Sequence, residues 1–91
     1  MALFLVAAVG SSGPTIDSVI PTKIASTEAY KIENGKWIVD VTGISTSKDL
    51  SEFLGFSATV THFIVPVRGY FGRAQPDLWE WLAAKTSKAN A

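Results

Sequence analysis

The sequence predicts an α/β (α+β) domain, a single ferredoxin-like β-α-β-β-α-β sandwich with an added C-terminal helix. Three observations lead there. The apolar run Ala2 to Val9 closes on Gly10-Ser11-Ser12-Gly13, the pattern of a buried central strand. Asn34-Gly35 joins two β-rich runs, the pattern of a hairpin. Helical segments with recognisable starts and stops fall before the hairpin, after it, and after one more strand. At 91 residues the chain is long enough for one core and too short for two. The domain is expected to span residues 1–85, with a flexible tail over 86–91.

The first strand is expected at roughly residues 2 to 9. Pro14 suits a first helical position, with Ser12 or Gly13 as cap, and a short helix over Thr15 to Ile20 should stop before Pro21. Ala29-Tyr30-Lys31-Ile32 and Lys36 to Val41 flank Glu33-Asn34-Gly35. Asn-Gly favours a type I′ turn, which needs positive φ at both central residues. Tyr30 and Ile32, and Trp37, Val39 and Val41, alternate as in a half-buried sheet. Thr46 with Asp49 three residues on resembles a capping box; Leu50, Phe53 and Leu54 make the apolar stripe and Gly55 fits the position that ends the helix. Val60 to Val67 is the fourth strand, and Pro66 marks its end as an edge or a bulge. Pro76 and Asp77 open a last helix, Leu78 to about Lys85.

Composition removes several function classes. Eight basic and eight acidic residues give a net charge of zero, which is not the footprint of a duplex-DNA binder. There is no cysteine and one histidine, so a disulfide framework and a thiolate metal site are excluded and zinc is disfavoured. With 47% hydrophobic residues the chain is too apolar for disorder. The N-terminal apolar run lacks a basic flank and falls far short of the roughly 20 residues of a membrane span. A cytoplasmic protein is expected.

Certain segments carry a resemblance: Gly35-Lys36-Trp37-Ile38-Val39-Asp40, Thr46-Ser47-Lys48-Asp49-Leu50, Leu54-Gly55, Phe63-Ile64-Val65-Pro66-Val67 and Gly69-Tyr70-Phe71-Gly72-Arg73. Together they resemble small bacterial ferredoxin-like proteins of the SinR or Cas2-like type, over about residues 2 to 83. That resemblance implies the fold and frequent dimerisation. Cas2 nucleases place an Asp just after the first strand; here the stretch is Ala7-Ala8-Val9-Gly10, and no carboxylate precedes Asp17. The first helix is also shorter. The resemblance therefore points to a subset without nuclease activity.

Residue by residue, the chemistry is sparse. His62 alternates opposite to Phe63 and shows no partner motif for general-base work, so a polar strand position is expected. Asp40 faces away from Val39 and Val41, which favours solvent or a lysine partner over a buried acid with a raised pKa. Gly10 to Pro14 could hold an anion on backbone N–H groups, but it lacks the spacing of a P-loop and suits a connecting turn. Arg68 to Trp81 stands apart: it holds both arginines, Tyr70, Phe71 and two of the three tryptophans. Leu78 groups with Trp81 and Leu82 on one helical stripe, whereas Trp79 falls about 100° round from Leu78. Arg68, Tyr70, Phe71, Arg73, Trp79 and Trp81 are therefore the candidate partner or dimer surface, since such residues are enriched at interface hot spots. Core packing of the helix and stacking on single-stranded nucleic acid are the competing readings. Arg73 could also pair with Asp77 or Glu80.

The expected function is a non-catalytic protein-interaction module, homodimeric or part of a larger bacterial or phage assembly. The alternative is a Cas2-like nucleic-acid-binding accessory protein lacking nuclease activity. A metal-dependent nuclease using Asp17 or Asp40 is a remote third, because these carboxylates form no ligand cluster. No catalytic residue, cofactor or metal is assigned. The fourth strand could also pair with a second protomer.

Overall fold

β1 (Ala2–Ala8) is apolar on both faces because both faces become covered. In the computed structural model, which describes residues 2–56, 59–69 and 76–90, it lies at the centre of a four-stranded antiparallel sheet. The sheet order is β2-β3-β1-β4, with β2 Ala29–Glu33, β3 Lys36–Val41 and β4 His62–Pro66. Ala2 stands opposite Val41 and Ala7 opposite Lys36, while on the other side Phe4 stands opposite Pro66 and Ala8 opposite His62. The helices are α1 (Gly13–Lys23), α2 (Ser47–Leu54) and α3 (Pro76–Asn90), with a 3₁₀ turn at Ser26–Glu28. The class is α+β.

Alternation along each strand divides the apolar residues between two layers. Phe4 and Val6 of β1, with Trp37, Val39 and Val41 of β3, meet Ile16 and Ile20 of α1 and Leu50 and Leu54 of α2. Leu3 and Ile38 point to the opposite face and pack with Leu78 and Leu82 of α3. The added helix is thus the third layer. It explains why Ile38 is buried although Trp37 and Val39 on either side face the other way.

Several boundaries differ from expectation, each for a physical reason. α1 continues past Pro21 to Lys23. A proline near the end of a helix forfeits one backbone bond, and Pro21 is exposed, so water can serve the freed carbonyl. α3 runs to Asn90 rather than ending near Lys85; nothing in Thr86-Ser87-Lys88-Ala89-Asn90 breaks a helix. The β2–β3 turn is not type I′. Gly35 has φ +78°, but no non-glycine residue among those described has positive φ, so Asn34 keeps negative φ. The ladder shifts register between Lys31 and Glu33 instead. α2 matches its signals: Thr46 accepts from the Asp49 N–H at 3.1 Å, and Gly55 ends the helix at φ +72°. Phe53, expected in its buried stripe, is 45% exposed.

The hairpin tip is locked onto the rest of the fold. Asp17 on α1 accepts from the Gly35 N–H at 2.8 Å and from Trp37 Nε1 at 2.9 Å, with Lys31 Nζ at 3.6 Å. Burial raises the Asp17 pKa, but the donors of Trp37 and Gly35 and the charge of Lys31 outweigh it and hold the carboxyl below its ordinary value. A Cβ at Gly35 would lie 2.9 Å from the Ala8 Cβ and 3.1 Å from the Gly13 Cα. Gly35→Ala therefore combines left-handed strain with a backbone clash, and should lower stability by about 1–3 kcal/mol. A urea titration checks it: the midpoint should fall with the slope unchanged.

Candidate interaction surface

The C-terminal aromatics are placed by α3, which is held by Leu78 and Leu82 and by one buried lysine. Lys85 is buried, and its Nζ lies 2.6 Å from Glu28 Oε2 and 3.4 Å from Asp40 Oδ2. The same ammonium stands 5.4 Å from the Trp81 ring centroid, and Trp81 meets Tyr30 at 5.9 Å. Burial and the hydrogen bond with Glu28 push the Asp40 carboxyl above its ordinary value, against the pull of Lys85. Burial lowers the Lys85 pKa, but the two carboxylates outweigh it and keep the ammonium charged. Asp40 thus has the lysine partner its strand position suggested, and it is also an acid of raised pKa. Lys85 lies 45 residues further along the chain, so neither sequence pattern nor spacing joins the two.

Of the sequence-predicted surface, Trp79 and Trp81 are half-buried and pack on the Leu3–Ile38–Leu78–Leu82 cluster. Trp79 lines an apolar cleft of about 310 Å³ with Leu5, Ile32, Val65 and Val67. Arg68 is exposed just beyond β4. Tyr70, Phe71 and Arg73 lie outside the described residues, as do the proposed Arg73 pairings.

A second apolar surface escaped the sequence reading. Phe63 on β4 is 59% exposed and Val9, just past β1, is 48% exposed. Phe63 stands opposite Ala7, and alternation puts Val9, Ala7 and Phe63 on the sheet face that carries α3. Among the described residues no strand pairs with the outer side of β4. The Val67 N–H bonds to the Leu3 carbonyl and the Val9 N–H to the Thr61 carbonyl, so residues 61, 63, 65 and 67 turn their backbone groups inward. His62, Ile64 and Pro66 turn theirs outward. Pro66 sits where its missing N–H costs the sheet nothing, the edge position its sequence signal implied. Exposure of Phe63 was invisible in the sequence because Phe63 alternates with His62, and the histidine is the side chain that turns inward.

His62 faces α2. Its Nδ1 donates to the Val60 carbonyl at 2.7 Å, which leaves Nε2 facing the Ser51 hydroxyl at 2.7 Å, and Phe56 meets the ring edge-on at 4.6 Å. The contact joins α2 to β4. Ser12 bonds across to Thr61 at 2.9 Å, and Thr61 donates in turn to the Val9 carbonyl, so the Gly10–Gly13 turn is tied to β4. Asp17 and Asp40 lie on opposite faces of the sheet, each with its own lysine. Among the described residues no group of three His, Asp or Glu side chains could hold a metal ion. No described helix is long and apolar enough to cross a membrane. No protein-family model, curated protein or solved structure matches the chain.

Proposed function

We propose that the chain is a cytoplasmic, non-catalytic interaction module that self-associates, as a homodimer or within a larger bacterial or phage assembly, on a ferredoxin-like core. The antiparallel order β2-β3-β1-β4, with α1 and α2 together on one face, supports the ferredoxin-like assignment. One observation carries the functional reading: a strand edge that no other strand among the described residues pairs with lies beside exposed Phe63 and Val9. Exposed apolar surface next to open backbone donors and acceptors is what an assembly contact buries.

Native mass by light scattering on a sizing column, with absorbance at 260 and 280 nm, tests it. The expected result is twice the 9.7 kDa chain mass with a clean protein spectrum. A mass that stays at one chain at every concentration overturns the proposal. A raised 260 nm signal transfers the reading to the Cas2-like nucleic-acid accessory role.

A further inference from the structure

We infer that the outer edge of β4 is seated against β4 of a second copy, antiparallel, with the twofold axis at Ile64. The inference rests on the self-association reading and adds its surface and register. The outward-facing positions His62, Ile64 and Pro66 are symmetric about Ile64. Placing Ile64 against Ile64 of the partner forms two reciprocal N–H···O=C bonds. It also sets His62 against the partner's Pro66. There the His62 N–H reaches the Pro66 carbonyl, and the missing proline N–H falls at the end of the ladder rather than its middle. Four bonds form, and all five residues of each strand are in register. A shift of the axis to Phe63 would leave Pro66 opposite Val60, which lies in a bend ahead of the strand.

Side chains favour the same partner. On the α3 side of the sheet, Phe63 comes to lie over the partner's Val65, and the exchange is mutual, so Phe63, the most exposed large apolar side chain among the described residues, is covered in both copies. Charge agrees as well. Between Glu52 and Arg68 the sequence carries no Asp, Glu, Lys or Arg. Natural edge strands commonly carry charges, above all lysine, that repel a second strand. This edge has none, so two copies meet without like-charge repulsion. A five-residue ladder with two symmetric Phe–Val pairs is a small interface, roughly 1,200 Å² or less in total. The dimer should therefore dissociate on dilution.

The absence of native cysteine makes the register directly testable. Under mild oxidation Ile64→Cys should yield a covalent dimer. Phe63→Cys and Val65→Cys should not link to themselves, and should link to each other when mixed, because residue 63 faces residue 65 of the partner. Phe63→Lys removes an exposed side chain, so at dilutions where both chains are monomeric its thermal unfolding should match the parent, while its dimerisation constant weakens at least tenfold. Efficient self-linking of Phe63→Cys in place of Ile64→Cys overturns the register. A chain that remains dimeric in Phe63→Lys, with no linking at 64, overturns the surface while leaving self-association standing. A parent chain that is monomeric at all concentrations overturns both.

Discussion

Phe4→Ala is expected to cost about 4 kcal/mol, within the range found when a buried phenylalanine is truncated. Phe4 is 1% exposed on the central strand and packs in the cluster that joins α1 and α2 to the sheet. A domain of this length has a total stability of roughly 5–15 kcal/mol, so the variant should sit close to its unfolding midpoint at room temperature. Circular dichroism in urea reads this directly. Leu82→Ala empties the other layer, between sheet and α3. Its expected cost is smaller, about 2–3 kcal/mol, because α3 lies over a single sheet face and can settle into the space. Equal losses in the two variants would mean that the layers are equally able to collapse around a deletion.

Lys85→Met keeps the aliphatic stem and removes the charge. It leaves Asp40 and Glu28 facing each other with no cation between them. The expected cost is about 3 kcal/mol, the low end for stripping one partner from a buried ion pair, because Glu28 is 39% exposed. Adding Asp40→Asn to Lys85→Met should recover part of it. The pH dependence follows from the shifts. Lys85 has a folded pKa above 10.5, so its contribution is complete below that value and is withdrawn as pH rises through the folded pKa. Asp40 binds its proton more tightly folded than unfolded, so its contribution grows as pH falls from its raised value towards 3.8. The deficit of Lys85→Met should accordingly be largest near neutral pH and shrink in acid, where the carboxyls it exposes to one another become protonated. Urea midpoints at pH 7 and pH 4 make the comparison; a deficit that is the same at both would show that lost packing, not lost charge, is the cause.

What was legible in the sequence was what neighbours along the chain decide. Thr46 and Gly55 bracket α2, Gly10 to Gly13 end the first strand, and Asn34-Gly35 places the hairpin tip, because caps and turns are satisfied within a few residues. The type of that turn was not legible, since the contacts of Gly35 with Ala8, Gly13 and Asp17 come from elsewhere in the fold. The layer assignment of α3 was hidden for the same reason: Leu78 and Leu82 announce an apolar face, but only the sheet says that Leu3 and Ile38 await it. The site was less legible still. The partners of Lys85 lie 57 and 45 residues away, and the open side of β4 exists only once β1 has taken its inner side.

The position of β1 also sets an order of events during synthesis. It leaves the ribosome before both of its partners in the ladder, Lys36–Val41 and His62–Pro66. The hairpin β2–β3 closes over a short loop and can form early, whereas β1 must wait for chain that does not yet exist. Until then Ala2-Leu3-Phe4-Leu5-Val6 is an unpaired, uncharged apolar segment in a nascent chain, the kind of sequence that hydrophobic-binding chaperones hold. The strand that ends deepest in the finished sheet is thus the one that spends longest without a place in it.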